Sequence, residues 1–182
     1  MRINKYLSQC GVGSRRKCDE YISSGLVRIN GKVIKDFSYN VSESDYVQYD
    51  NKLLELAPPI TYILNKPKGY ICSKTDKLNR KTIYDLLPNH NLFSIGRLDY
   101  NTEGLLLLTN NGFLKRYMEL PANKIERSYR VKIKGEVKNL KIREIKRGIY
   151  INKIQYAPIK IKIINQTKNT AWLELKLIEG KN

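Results

Sequence analysis

Two adjacent prolines, Pro58 and Pro59, divide this chain into two parts. Proline fixes φ and cannot donate a backbone hydrogen bond, so two in succession disfavour a helix and remove two donors from any strand ladder. No internal repeat is visible on either side of the pair. We therefore expect a linker at 57–59 that joins a small N-terminal unit, residues 1–57, to a larger unit, residues 60–182.

The charge of the chain indicates a polyanionic partner. The net charge is +17, and it is unevenly distributed: residues 1–35 carry +6, residues 36–57 carry −4 and residues 58–182 carry +15. A uniformly lysine-rich composition would not give this basic, acidic, basic order. Because no long amphipathic basic helix is evident, nucleic acid is favoured over an anionic membrane surface.

Other classes of protein are disfavoured by what the sequence lacks. No segment approaches the ~20 apolar residues of a membrane helix, and the N-terminus has no secretory signal pattern. We expect a cytoplasmic protein with no membrane partner. Cys10, Cys18 and Cys72 lack the spacing of a zinc or redox site, so we expect them to be reduced and buried.

His90 is the only histidine, and we expect it to be a solvated turn residue. A histidine triad and a multi-histidine metal site are therefore poorly supported. We expect no metal and no cofactor, and acid–base chemistry must then rely on Asp, Glu, Tyr or Lys.

The N-terminal unit has the pattern of two helices and a hairpin. Ile3 and Leu7 share one face of a first helix that ends at 11–13, and Ser14 is the expected N-cap of a second helix that reaches about Ser23. The pair at 30–31, Asn-Gly, predicts a tight turn between two strands. A further strand is expected at 46–49.

Three successive cations, Arg15, Arg16 and Lys17, fall in the first turn of the second helix. The helix dipole disfavours a cation there by ~0.3–1 kcal/mol each. A solvated charge cluster is one interpretation, and a cluster facing RNA is the one that we favour.

These segments together resemble the alpha-L RNA-binding module over roughly residues 1–48. The resemblance is carried by the helix, the Gly-Val-Gly-Ser-Arg-Arg turn, the second helix and the Val-Arg-Ile-Asn-Gly-Lys hairpin. It implies contacts with the phosphates of structured RNA, which position a protein without reading bases. The residues implied are Arg15, Arg16, Lys17, Arg28 and Lys32.

The larger unit alternates strands and helices. Strands are expected at 62–64, 93–95, 105–108, 128–134, 158–164 and 170–178, and helices at 82–87, 112–119 and 137–147. This order predicts an α+β fold: a small N-terminal α-β module followed by a mixed, largely antiparallel-sheet domain.

The loop between the strands at 93–95 and 105–108 has the residues best suited to chemistry. Asp99 lies on it between two glycines, with Arg97 two residues away. A carboxylate held against a core needs a cation or hydrogen bonds to compensate it. Alternatively, Asp99 could form a turn by bonding its own backbone, and Arg97 and Glu103 could be an ordinary ion pair.

Three segments of the chain together resemble the RsuA/RluB-like ribosomal RNA pseudouridine synthases. They are Lys-Pro-Lys-Gly at 66–69, GRLDYNTEGLLLLTNNG at 96–112 and Glu-Arg-Ser-Tyr-Arg-Val at 126–131. The resemblance extends over essentially the whole chain. It implies site-specific conversion of uridine to pseudouridine in ribosomal RNA, with large-subunit RNA favoured, by a monomer that acts on this RNA or a pre-ribosomal particle without a cofactor.

The same resemblance implies a role for each matching residue. Asp99 would be the nucleophile, attacking C6 of the uracil or C1′ of its ribose. Tyr129 would stack on the target base, and Arg97 would hold or displace the flipped nucleotide. Lys66 and Lys68 would contact the RNA backbone or support the loop.

The family pattern continues beyond Glu-Gly-(Arg/Lys)-Asn with a segment that pairs a cation with the catalytic aspartate. This sequence reads Glu-Gly-Lys-Asn at 179–182 and stops. We expect the catalytic domain to be truncated, and the 182-residue chain to bind RNA but isomerise uridine poorly. The alternative function is an RNA-binding ribosome-assembly factor with an inactive or truncated catalytic domain.

Overall fold

The computed structural model describes residues 1–88 and 91–178, except for the side chains at 139–141. The backbone forms two compact units, residues 1–115 and 116–182, which are described separately. In the described ranges, no helix is both long and apolar enough to cross a membrane. His90 and the terminal segment 179–182 lie outside the described residues.

The first unit begins with two helices, α1 (Ile3–Gln9) and α2 (Arg15–Ser23). The Ser14 hydroxyl accepts a hydrogen bond from the Lys17 amide at 3.2 Å, which confirms the predicted N-cap. Gly25 follows α2 with φ +73°, a conformation that favours glycine. The apolar faces of both helices pack in one core, whose fully buried members include Ile3, Leu7, Cys18, Ile22 and Val27.

A four-stranded antiparallel sheet completes this core. It contains β1 (Val27–Ile29), β2 (Lys32–Val33), β3 (Val47–Tyr49) and β4 (Lys52–Leu53), in the order β2-β1-β3-β4. Asn30 and Gly31 both have positive φ, as a primed hairpin turn requires. The Asn30 side chain also accepts from the Tyr46 amide at 2.9 Å, so it fixes the turn to the strand beside it.

A second sheet follows the proline pair, with the order β5-β7-β6. It contains β5 (Thr61–Lys66), β6 (Phe93–Ile95) and β7 (Gly104–Thr109), all antiparallel. Its inner face packs on a separate core that includes Ile83, Leu92, Leu106 and Leu108. The first unit therefore holds one core before the prolines and another after them, and the predicted domain boundaries stay a prediction.

The residues after β7 anchor the linker. Asn110 donates to the Pro58 carbonyl at 2.9 Å and accepts from the Ile60 amide at 2.8 Å. Asn111 accepts from the amides of Phe113 and Leu114, and so caps the next helix, α3 (Gly112–Glu119). The Asn-Asn pair is therefore structural.

The second unit is built on a three-stranded antiparallel sheet. Its strands are β8 (Arg127–Lys134), β11 (Lys160–Gln166) and β12 (Thr170–Leu177), in the order β11-β12-β8. Between β8 and β11 lie α4 (Asn139–Arg147) and a separate hairpin of β9 (Ile149–Ile151) and β10 (Ile154–Tyr156).

The fold class is confirmed as mixed helices and largely antiparallel sheets, with three local differences. The helix predicted after Thr82 is a short 3-10 turn (Ile83–Leu86), closed by reciprocal hydrogen bonds of Thr82 and Asp85. Strand β4 and the β9–β10 hairpin were not predicted. Their two-residue turns, 50–51 and 152–153, adopt positive φ without glycine, so the usual sequence signal is absent.

The three cysteines are free thiols, with Cys18 buried and the other two half-buried. Burial raises the pKa of Cys18 to about 11, and that of Cys10 likewise. The structure describes no cluster of His, Cys, Asp and Glu suited to a metal within its ranges.

The buried thiol of Cys18 predicts a loss of stability at high pH. The unfolded chain releases this proton first, so the stabilisation is complete below the ordinary thiol pKa and declines as pH rises towards about 11. We expect the difference in unfolding free energy between the wild type and Cys18→Ala to shrink over this range. Urea unfolding at a series of pH values measures it, and a difference that does not change with pH contradicts the prediction.

Candidate active site and RNA-binding residues

The loop at 96–103, between β6 and β7, is fixed through its backbone. Gly96 and Gly104 have φ +73° and +132°, where residues with a Cβ are strained. The Thr102 amide donates to the Asp99 carbonyl at 3.0 Å and closes a turn. The Gly69 amide donates to the Tyr100 carbonyl at 2.9 Å, which ties this turn to the segment after β5.

The strongest tether of the loop is the side chain of Lys66, the last residue of β5. Its ammonium is completely buried and is surrounded by carbonyl oxygens. It donates to Thr102 at 2.8 Å, Asp99 at 3.0 Å and Pro67 at 3.1 Å, with Tyr100 at 3.5 Å. An ammonium has three donors, and each finds an acceptor here. One charge therefore joins the end of β5 to both sides of the Asp99 turn.

A cysteine holds the loop from a second side. The Cys72 sulfur lies 3.3 Å from the Leu98 carbonyl oxygen and 3.4 Å from the Leu98 amide nitrogen. The residue before Asp99 is thus fixed by a side chain that the sequence predicted to be a small buried hydrophobe.

The Asp99 carboxylate itself is exposed and has no hydrogen-bond partner among the described residues. It is therefore not held against the core, and it does not cap its own turn. Other turn aspartates do: Asp36 accepts from the Ser38 amide and Asp76 from the amides of Leu78 and Arg80. Hydrogen bonds from Arg80 hold the pKa of Asp76 well below its usual range. The backbone of the Asp99 loop is therefore fixed, while the Asp99 carboxylate makes no hydrogen bond with the described residues.

The cationic compensation of the Asp99 carboxylate that the sequence suggested is not present among the described residues. Arg97 is exposed, and the described part of the chain contains no ion pair between it and Asp99 or Glu103. Lys66 instead binds the loop through its backbone carbonyls.

Lys66 cannot serve as an RNA contact in this structure, which corrects that assignment. Its side chain is sealed from solvent, and its donors are used by carbonyls. The alternative role, support of the loop, is the one that the geometry shows. Lys68, two residues on, is exposed and remains a candidate for RNA contact.

Tyr129 lies in the second unit, on β8 opposite Leu175 of β12. Its ring is half-buried on the same face as Val131 and Ile133, and its hydroxyl has no hydrogen-bond partner within the described ranges. It is thus an accessible aromatic ring on a fixed strand. Asp99 and Tyr129 belong to different compact units.

The five cations predicted to bind RNA in the N-terminal module are all exposed. Arg15 donates to the Asn4 side chain at 3.2 Å, and Arg28 to the Gly31 carbonyl at 3.2 Å. Lys17 forms an exposed ion pair with Glu20 at 2.6 Å, which raises the pKa of Lys17. Such exposed contacts are weak, so these side chains can exchange them for phosphates.

Comparison with known proteins identifies the families that the two parts of the chain match. Residues 60–182 match the RNA pseudouridylate synthase family, and residues 1–47 match the S4 domain. The ribosomal large subunit pseudouridine synthase B of Bacillus subtilis is 36% identical over 185 residues, which cover 100% of this chain and 76% of that protein. The chain belongs to the RNA pseudouridylate synthase family.

Further relatives are consistent with this membership. An uncharacterised RNA pseudouridine synthase of Rickettsia typhi is 39% identical over 183 residues, covering 100% of this chain and 75% of the relative. A crystal structure of a pseudouridylate synthase superposes with a TM-score of 0.65 at 27% identity, covering 100% of this chain and 79% of the other. The chain thus spans about three quarters of these synthases.

The sequence left the role of Lys66 open between RNA contact and loop support, and it did not predict the Cys72 contact with the loop. Local sequence does not separate the two roles, because a lysine before a proline is usually an exposed charge. The Cys72 contact left no sequence signal, because its partner lies 26 residues away.

Replacing the buried ammonium tests the support of the loop. We expect Lys66→Met to lower the unfolding free energy by roughly 2–4 kcal/mol, because it leaves buried carbonyls without donors. Synthase activity should fall more than RNA affinity. Lys68→Met, an exposed lysine two residues away, is the matched control and should leave stability unchanged. Equal melting temperatures for the two variants would contradict this role.

The N-terminal cations make a separate prediction. We expect Arg15→Gln with Arg16→Gln to weaken RNA binding and to reduce the slope of log affinity against log salt by about 1.4–1.8, since two phosphate contacts are lost. Filter binding at several salt concentrations measures this. Lys5→Gln with Lys35→Gln removes the same charge elsewhere in the module. An equal effect of both pairs would indicate non-specific attraction.

Proposed function

We propose that this protein isomerises specific uridines to pseudouridine in ribosomal RNA, and that large-subunit RNA is its substrate. Membership of the family supports the reaction, and the name of the Bacillus subtilis relative supports the substrate. The observation that carries the proposal is the Asp99 loop, whose backbone is fixed while its carboxylate is free.

In the proposed reaction, Asp99 attacks either C6 of the uracil or C1′ of its ribose. A carboxylate suits this step because it forms an ester-like bond that can later be released. The bond between N1 and C1′ breaks, and a bond between C5 and C1′ forms. The proton on C5 leaves and N1 gains one, so no oxidant, reductant or further atom is required.

The other site residues act on the position of the nucleotide. Tyr129 stacks on the uracil ring near C5, and Arg97 holds the flipped nucleotide through its exposed guanidinium. Extruding a base costs a few kcal/mol in a duplex and less where RNA is unpaired. A loop or a helix junction is therefore the expected target.

Binding to the substrate depends on the exposed cations of the N-terminal module. Arg15, Arg16, Lys17, Arg28 and Lys32 contact phosphates, and Lys68 does so near the reacting nucleotide. These contacts place the RNA without reading its sequence. Their support is the exposure of all six side chains on a chain of net charge +17.

We also propose a cellular location and an oligomeric state for the protein. It acts as a cytoplasmic monomer on ribosomal RNA or a pre-ribosomal particle. Its strong positive charge supports a polyanionic partner and opposes self-association.

A pair of loop variants tests the reaction. In the native gene, we expect Asp99→Asn to abolish pseudouridine at the target position, because an amide is a poor nucleophile. RNA affinity should be unchanged or slightly higher, since a negative charge is lost. Glu103→Gln removes an exposed acid from the same loop and should retain activity. Primer extension after carbodiimide treatment of the ribosomal RNA measures the product.

The outcomes separate this proposal from the alternative of an RNA-binding assembly factor. An assembly factor would give no pseudouridine from either the wild type or the variant. Product formed by Asp99→Asn at the wild-type level would show that another group is the nucleophile.

A further inference from the structure

The β11-β12-β8 sheet of the second unit has two unlike faces. Alternate residues of β8 are half-buried and mainly apolar, including Tyr129, Val131 and Ile133, while the residues between them are exposed. In β12, Ala171 and Leu173 are buried. Trp172, between them, is 41% exposed on the opposite face. A large aromatic side chain in this position is not used to build the core.

The face that carries Trp172, called here the basic face, is dominated by cations. The antiparallel register places them on all three strands, with Glu174 between Arg130 and Lys162. A second acid, Glu126, precedes β8 and binds both Lys160, at 2.8 Å, and Lys176, at 3.1 Å. The cations are Arg130, Lys132, Lys134, Lys160, Lys162 and Lys176. The face stays positive after these two acids are counted.

Trp172 lies among these charges. It is paired with Lys132 across the strands, and the Lys132 ammonium is 5.8 Å from the centre of the indole ring. Lys134 lies opposite Thr170, two residues further along β8. Trp172 is thus a partly exposed aromatic ring, with one ammonium over it and further cations on the neighbouring strand.

These features fit one kind of occupant. A covering protein layer would have to desolvate several cations, which is costly without matched acids. A membrane surface would find a single aromatic residue and little apolar area to insert. Unpaired RNA supplies both complements, since its bases stack on aromatic rings and its phosphates pair with cations.

We propose that the basic face binds a single-stranded segment of the substrate RNA, with one base stacked on Trp172 and phosphates on Arg130, Lys132 and Lys134. This surface is separate in sequence from the N-terminal module and from the Asp99 loop. The inference rests on the proposed function in one respect, that the protein acts on RNA. Stacking and phosphate contacts make the interaction tolerant of sequence.

Trp172 is the only tryptophan in the chain, so its fluorescence reports on this surface alone. We expect an oligouridylate of about 12 nucleotides to quench it saturably, a length within the range that single-strand surfaces occupy. An RNA duplex of equal length should quench it much less, because its bases are already stacked. The quenching should persist in Arg15→Gln with Arg16→Gln, at a higher RNA concentration.

Charge variants provide the matched comparison, with fluorescein-labelled RNA as the probe. We expect Lys132→Glu to weaken binding and to lower the salt slope by about 0.7 or more, and Trp172→Leu to weaken binding at least about fivefold. Lys153→Glu, an exposed lysine in the β9–β10 turn, should have a smaller effect. Urea unfolding checks that all variants are folded.

Quenching and binding are measured without any need for catalysis. Quenching in Asp99→Asn together with loss of binding in Lys132→Glu supports the surface, even if no pseudouridine is formed. The proposal is overturned if oligouridylate leaves the fluorescence unchanged, if the duplex quenches equally, or if Lys132→Glu and Lys153→Glu bind alike.

Discussion

A buried ammonium without a carboxylate partner determines how the synthase loop is held. Removing the Lys66 charge from water is unfavourable. Backbone carbonyls offset this only if several of them point at the ammonium. The carbonyls of residues 67, 99 and 102 do so because Gly69, Gly96 and Gly104 allow the chain to turn back towards β5. Any movement of the Asp99 turn would release a donor in the interior, so the loop has one strongly favoured position.

Because Lys66 holds the loop through its backbone, the Asp99 side chain is not needed to hold it. The backbone of the loop is tethered by Lys66, Gly69 and Cys72, none of which uses the Asp99 carboxylate. Some other carboxylates stabilise local structure: Asp45 accepts a hydrogen bond from the Ser42 amide, and Asp85 accepts one from the Thr82 amide. An acid that is free on a fixed turn suits the nucleophilic role proposed for Asp99, since it reaches substrate without first breaking a structural bond.

The sequence predicted best those elements whose local signals, such as a helix cap and the spacing of apolar residues, agree with the tertiary structure. Helix α3 has its predicted bounds because Asn111 caps it and its apolar residues recur at helical spacing. The position of Asp99 on a short loop between two strands was also predicted, from the glycines and the flanking apolar segments. The β9–β10 hairpin was not, because Asn152 and Lys153 adopt positive φ without glycine. The sequence left two roles open for Lys66, because the carbonyls of Asp99 and Thr102 that decide between them lie more than thirty residues away.

The charge that RNA can reach depends on which charged side chains the fold uses for internal contacts. In the acidic stretch at 36–57, Asp36 and Asp45 accept hydrogen bonds that close turns around the hairpin, whereas Glu43, Asp50 and Glu55 are exposed. The cations are mostly exposed and held by weak contacts or none, so their fields add outward. Lys66 is buried, so net charge alone does not identify which cations are available to RNA. A cation matters for RNA only if its donors face solvent, and the fold decides which lysines keep them there.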